Sequence, residues 1–513
     1  MADRPAVIIG AGIAGLCAAL TLTARGQRAI VFESGSVVGG KMRQLEAGGA
    51  LVDSGPTVLT LRGVFDEILG ELGFALEDFV QAQPLELLAR HAWDRVNHLD
   101  LFADRERSAA AIGALAGASE ARAYLAFCAE AARVYRTLDD TFLRASRPNP
   151  LSLAWRARSH GPAALLGIRP FSSLWRALGK HFHDPRLRQL FARYATYCGS
   201  SPWQAPATLM LIAHVEQAGV WRLAGGMQSL ARALYDAAVA RGVEFRFGQT
   251  VDDIQVTAGK VAAVQAAGGD AVSCSGVICS AAPSAILAGL LGPRALAALP
   301  SLGGPQRSLS AITWSCLGTA EGFPLSYHNV FFSGDYRREF EQLWQQNSVP
   351  DDPTVYICAQ DRPLGTPSEA SSPERMLCLI NAPACGDTHS FDRKEIELCT
   401  SRTMQRLAHC GLQLTLRPEH TVITTPTDFA LRFPGTGGAL YGQATHGWQA
   451  AFRRPGARTR LPGFYLAGGG VHPGPGVPMV ALSGRQAAQC LLEDCVSTRR
   501  LSPVAIAGGT SMR

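Results

Sequence analysis

Two short apolar runs and the stretch between them set the pattern of the first 33 residues. PAVIIG (5–10) is a continuous apolar run, as a strand buried on both faces requires. LCAALTLTARG follows with helical character and closes on Gly26, which fits a C-cap. RAIVFE is a second apolar run, ending at Glu33. Strand, helix and strand in this order predict a βαβ unit. The pattern returns near the other end of the chain. FYLAG (464–468) reads as a buried strand, HPGPGVPM as a tight Gly/Pro loop, and VALSGRQAAQCLL as a helix. Between them lie a helical stretch at 108–138, an alternating run at 243–256, a returning strand within 272–287, and strand-like runs at 308–318 and 375–383. No internal repeat of 20–50 residues is evident.

The first turn carries chemistry. It reads G-A-G-I-A-G, with Gly10, Gly12 and Gly15 placed for three tasks. Gly10 permits the tight turn, Gly12 lets a pyrophosphate approach the backbone, and Gly15 lets helix and strand pack closely. The helix start at Ile13 and Ala14 offers free N–H groups and a positive dipole end to phosphate. Glu33 is placed to accept hydrogen bonds from ribose hydroxyls. This is a dinucleotide site, and the turn alone leaves NAD and FAD both open.

Composition narrows the class. Of 513 residues 53 are glycine and only 18% are charged, against about 25% charged in an average soluble protein. The chain is too apolar for disorder, lacks a collagen period, and is too long for a disulfide-stapled mini-protein. The 13 cysteines include no C-x-x-C pair, so buried free thiols and no metal site are expected. Net charge is +6, weak for a nucleic-acid binder of this size. Residues 151–193 hold eight basic residues against one acid, interleaved with Trp155, Leu165, Leu166, Ile168, Phe171, Leu174, Trp175 and Phe182. That mixture suits a helix lying on anionic lipid. The N-terminus lacks the basic leader and cleavage site of a signal peptide, and no clean apolar run of about 20 residues predicts a membrane span.

The motifs around these turns resemble one family. G-G-K-M-R (39–43) and V-D-S-G-P-T-V (52–58) are similar to elements of the amine-oxidase and carotenoid-desaturase flavoproteins, with Lys41 where many members carry Arg. Gly468, His472, Pro473, Gly474, Gly476 and Pro478 match the C-terminal flavin signature of bacterial carotenoid desaturases, and W-R-L-A-G-G-M-Q-S-L (221–230) resembles a further family element. The resemblance implies FAD as cofactor. Besides the turn and Glu33, it implies contacts from Gly40, Lys41, Met42, Gly55, Pro56 and Thr57, an adenine contact from the Val251 backbone, and a flavin bed from Gly468, Val477, Pro478 and Met479. It implies an α/β fold: a Rossmann-like FAD-binding domain over 1–80, 225–300 and 458–495, interleaved with an α+β substrate domain over 81–224 and 301–457. Residues 496–513 are expected to be a mobile tail.

Stretches 52–69 and 194–221 look most like the 1-hydroxycarotenoid (hydroxyneurosporene) 3,4-desaturase branch of purple photosynthetic bacteria. The activity implied is insertion of a C=C bond by hydride transfer to FAD. Phytoene desaturases and amine oxidases are the alternatives of the same fold, and Rab GDP-dissociation inhibitors are the lipid-carrying, non-enzyme alternative. Amine oxidases hold aromatic residues facing the flavin, and the sequence offers no clear equivalent. A polyene implies delivery from a membrane, with the protein cytoplasmic and peripheral to the inner or photosynthetic membrane, docked through 151–193. His446, His472 and Asp428 are possible bases, each expected to be structural. No catalytic residue and no electron acceptor is assigned.

Overall fold

The computed structural model describes residues 4–146, 171–300, 306–363 and 372–500, with side chains as far as 496. Five short apolar strands form a wholly parallel sheet, in the spatial order Glu244–Phe247, Ala29–Glu33, Ala6–Ile9, Val277–Cys279 and Phe464–Leu466. Both faces of such a sheet need covering. One face is covered by the helices Ile13–Ala24, Gly63–Gly70, Gln228–Ala240 and Val477–Arg500, packed on Ala6, Ile8 and Val31. The other lies under the antiparallel strands Val251–Thr257 and Lys260–Ala266, through Val7, Ile30, Phe32, Ile254 and Val264. The strand order reverses between Ala6–Ile9 and Val277–Cys279, and crevices for ligands open at such a reversal.

A second, mixed sheet lies across this crevice. Its order is Gln413–Thr415, Ser310–Glu321, Glu374–Ala382, Val355–Ala359, His328–Phe331, Leu87–Ala92 and His98–Phe102, with Thr421–Thr424 also paired to Ser310–Glu321. The period-two alternation decides which residues reach the crevice. Ile312, Trp314, Met376, Cys378, Ile380 and Ile357 join the core under the helix Arg393–His409. Their neighbours Thr313, Tyr356, Leu377, Leu379 and Asn381 point the other way, into a cavity. Helices between Arg105 and Gln217 close the far side around Phe127, Phe182 and Phe191.

Several expected elements take a different form. The helical stretch at 108–138 is two helices, Arg105–Ala116 and Ala118–Leu138, divided at Gly117, whose φ of 95° breaks the helix. The alternating run at 243–256 is two strands in different sheets, parted at Gly248. The C-terminal helix Val477–Arg500 extends four residues past residue 496. Residues 501–513 lie outside the described residues.

The basic stretch at 151–193 is described only in its later part. Its first part, with Arg156, Arg158, Arg169, Trp155, Leu165, Leu166 and Ile168, lies outside the described residues. From Phe171 onward it forms two short helices, Leu174–Leu178 and Pro185–Ala192. Leu174 and Phe182 are buried in the helical core and Arg193 turns inward, because the amphipathic faces are spent on that core. Phe171, Arg176 and Lys180 stay exposed. No described helix is long and apolar enough to cross a membrane.

Candidate active site

A single cavity of about 2090 Å³ runs from the glycine turns to the mixed sheet. Ligand pockets commonly measure ~300–1,000 Å³, so there is room for a dinucleotide and a second large molecule. Gly10, Gly12, Ile13, Ala14, Glu33, Gly40, Lys41, Met42, Gly55, Pro56, Thr57, Val251, Gly468, Val477, Pro478 and Met479 all line it.

Gly15 does not line the cavity and works on packing instead. A Cβ there would lie 1.9 Å from the Gly10 carbonyl oxygen. At Gly12 the nearest atom to such a Cβ is 3.9 Å away, so the bare backbone there faces open space that a phosphate can use. Gly12 caps the helix Ile13–Ala24 without a side-chain hydrogen bond, and the first turn carries no acid. Its N–H groups are therefore left for an anion. Glu33 is held at the strand end by the Ala11 N–H at 2.7 Å and the Gly35 N–H at 2.8 Å, with its carboxylate at the cavity edge. The Gly39 N–H donates to Ala11 at 2.9 Å, which lays the 39–43 element over the first turn. Lys41 reaches away from the helix start: its ammonium donates to the Leu440 carbonyl at 2.7 Å and sits 5.2 Å from the Phe433 ring centroid.

The two ends of the chain meet directly. Gly484 on the C-terminal helix packs so closely on the first helix that a Cβ would lie 2.1 Å from the Ala14 carbonyl oxygen. One residue earlier, the Ser483 hydroxyl accepts from the Gly468 N–H at 3.1 Å and ties the loop to its helix. The middle of the chain is drawn in by Asp53, which accepts from the Met227 N–H at 2.6 Å at the start of the Gln228–Ala240 helix. Arg454, with no sequence signal of its own, donates to the carbonyls of Tyr441, Gly469 and Gln443 and to Thr445. Burial lowers its pKa to about 10, which leaves it charged at neutral pH.

The three possible bases do not line the cavity. His472 Nε2 donates to the Phe142 carbonyl at 2.9 Å, His446 bridges the Ser201 N–H and Gln306, and Asp428 closes a capping box with Thr425. The carbonyl contact at His472 requires its ring nitrogen to donate. Burial pulls both histidines down to about 4, so both are neutral at physiological pH.

The far wall holds side chains that no local motif marked. Tyr197, Tyr356 and Tyr441 bring aromatic rings to the cavity, and the Tyr356 hydroxyl lies 2.6 Å from the Thr57 hydroxyl and 2.7 Å from His328 Nδ1. Arg193 donates to the Tyr197 hydroxyl at 2.8 Å, while Tyr194 and Tyr197 donate to Glu216 at 2.7 and 2.6 Å. Burial works to lower the Arg193 pKa, but Tyr197, Glu216 and Tyr194 outweigh it and hold the guanidinium above its ordinary value. His328 is driven down to about 3 by burial and then by the charge of Arg193.

A parallel sheet whose first turn is bare of side chains and whose second strand ends in a fixed carboxylate defines a dinucleotide-binding oxidoreductase fold. Residues 13–492 match the model of the flavin containing amine oxidoreductases. The chain is 48% identical to a hydroxyneurosporene desaturase of Rubrivivax gelatinosus over 99% of this chain and 97% of that protein. It is 42% identical to one of Cereibacter sphaeroides over 96% and 98%. With a 1-hydroxycarotenoid 3,4-desaturase of a Flavobacterium species the identity is 30% over 95% and 99%. Among solved structures, an oxidoreductase from Methanosarcina mazei is similar with a TM-score of 0.58 at 18% identity over 95% of this chain and all of that one. Cyclohexylamine oxidase from Brevibacterium oxydans is similar at 0.56 and 16% over 96% and 100%. These last two likenesses are of fold.

The chain belongs to the flavin containing amine oxidoreductase family, in its carotenoid-desaturase branch. Its cofactor is FAD, and the cradle fits: open backbone at Gly12, an acid-free helix start, and a carboxylate placed for a ribose.

Proposed function

We propose that this protein inserts a C=C bond at C-3,4 of a 1-hydroxycarotenoid such as 1-hydroxyneurosporene. The observation that carries the reading is one cavity joining the dinucleotide cradle to a wall of Val330, Leu377, Leu379, Leu209 and Ile212, as a long hydrocarbon beside a flavin requires. The names of the 48% and 42% identical relatives agree with it.

Gly10, Gly12, Ile13 and Ala14 would hold the pyrophosphate, Glu33 the ribose, Val251 the adenine, and Gly468 with 477–479 the ring system. When bound, FAD supplies a hydride acceptor. The protein's own contribution is placement: the mixed sheet and the helices from Arg193 to Gln217 pin the polyene against the cradle and exclude water. Charge developing on the reacting carbon spreads over the conjugated chain, so a weak base or water suffices for the proton. The same reading assigns 1–80, 225–300 and 458–495 to FAD and 81–224 with 301–457 to substrate. It also places the protein at a membrane surface, through the exposed part of 151–193. Charge reversal at Arg176 and Lys180 should then weaken liposome flotation without loss of flavin.

The decisive experiment incubates the FAD-loaded protein separately with 1-hydroxyneurosporene, neurosporene and phytoene and reads the polyene length by absorption. Extension of the hydroxylated substrate supports the reading. Turnover of phytoene alone replaces it with a phytoene desaturase.

A further inference from the structure

The wall of the cavity that should hold only hydrocarbon contains a buried charged cluster. Arg193 is 9% exposed and Glu216 8%. Taking two charges out of water is costly, and such groups are tolerated where every polar atom has a partner. Here one does not: Arg193 Nε is buried without a hydrogen-bond partner, although Nη1 donates to Tyr197. Glu216 is occupied by two phenols, and Tyr197 is shared between the carboxylate and the guanidinium. Arg193, Tyr197 and Glu216 all line the cavity.

The cluster stands close to the flavin side. Tyr356 faces the same cavity and is hydrogen-bonded to Thr57 in the cradle, and the turn that carries Arg193 and Tyr197 runs into Gly199, whose carbonyl accepts from the Leu309 N–H while the Leu309 carbonyl accepts from Leu440, the residue that holds Lys41. In a 1-hydroxycarotenoid only C2 separates the hydroxyl-bearing carbon from the C3–C4 bond. A group that reads the hydroxyl must therefore stand beside the flavin, not at the distant end of the tunnel.

Resting on the desaturase reading above, we infer that Arg193, Tyr197 and Glu216 form the subsite for the substrate's terminal hydroxyl. The Arg193 guanidinium donates to the hydroxyl oxygen, and the hydroxyl in turn donates to the Glu216 carboxylate beside Tyr197. The subsite is a specificity device. A polyene end without the hydroxyl leaves the guanidinium N–H unpaired in a site from which the ligand has expelled water, and sites built around a substrate hydroxyl reject its absence strongly. It also sets register, because fixing the hydroxyl fixes which C–C bond lies at the cradle.

The test compares kcat/KM for 1-hydroxyneurosporene and neurosporene in the FAD-loaded wild type, Arg193→Met and Tyr197→Phe. Wild type should prefer the hydroxylated polyene by about 100-fold or more. Arg193→Met should bring the preference to within about tenfold, chiefly by losing rate on the hydroxylated substrate, and Tyr197→Phe should weaken it by about tenfold, the scale of one hydrogen bond. Flavin content and thermal midpoint are measured alongside. If Arg193→Met fails to load FAD, Tyr197→Phe decides. A preference that survives in flavin-loaded variants, or a wild type with no preference, overturns the subsite while leaving the desaturase reading intact. A wild type that desaturates no carotenoid overturns both.

Discussion

The two sides of the cavity are built from opposite materials. The dinucleotide side is backbone: glycine turns, helix starts, and a carboxylate held by N–H groups of its own neighbourhood. The substrate side is side chain: Arg193, Glu216, Tyr197, Tyr356 and His328, drawn from helices and strands far apart in the chain. Backbone recognition tolerates no added atoms, whereas side-chain recognition tolerates no lost partner. The first fails by steric intrusion and the second by leaving a polar group unpaired.

Gly15→Val should give the largest effect. Its Cβ would stand 1.9 Å from the Gly10 carbonyl oxygen, so helix and strand must part. Flavin per mole of purified protein should fall by more than about tenfold, together with the yield of folded protein. A normally loaded Gly15→Val protein would remove the close-packing role of this glycine.

At the start of the Glu374–Ala382 strand of the mixed sheet, the Arg362–Glu374 pair is 2% and 5% exposed. Glu374→Gln leaves a buried charge short of its counter-ion and should cost about 3–5 kcal/mol in urea unfolding. A loss near that of a surface pair would show that water reaches the site.

Acid should separate the two sides next. His91 and His328 are both held near 3 in the folded protein, with burial the larger cause. Their folded pKa lies below the ordinary 6.5, so the unfolded chain takes up protons first as pH falls, and stability is lost from about 6.5 downward. Each contributes a loss of roughly 2 kcal/mol at pH 5. His328→Asn should flatten the decline in thermal midpoint between pH 7 and 5 by its share, and an unchanged slope would mean His328 stays protonatable in the fold.

Gly12→Ala should be the mildest for the fold and still damaging for the cofactor. Its Cβ meets nothing closer than 3.9 Å. The thermal midpoint of the flavin-free protein should barely move while FAD affinity falls by about tenfold or more. Equal FAD affinity would show that no phosphate lies over that backbone.

The cradle was legible because its logic is local. Gly10, Gly12, Gly15 and Glu33 stand within one βαβ unit, and the strand, turn and helix that orient them follow from the same short stretch. The loop at 468–479 was legible for the same reason. What joins these stretches was not: Gly484 against Ala14, Asp53 against Met227, and Arg454 against three carbonyls are contacts between distant segments with no period or spacing to betray them. In the described part of the basic stretch, from Phe171 onward, a helix with one apolar face reads alike in the sequence whether that face meets lipid or protein. Leu174 and Phe182 meet protein.

From the sequence one can read the two glycine-rich turns that come to line one cavity, and the motifs of a carotenoid-desaturase flavoprotein, because turns of this kind are specified by the residues inside them. Tertiary structure alone decided what the substrate meets. Alternation along Ser310–Glu321 and Glu374–Ala382 sends every second side chain to one face, but only the packing of the helix Arg393–His409 on the other face makes the first a cavity wall. Arg193 and Tyr197, Glu216, and Tyr356 come from separate elements, and their electrostatics exist only once burial has removed the water between them.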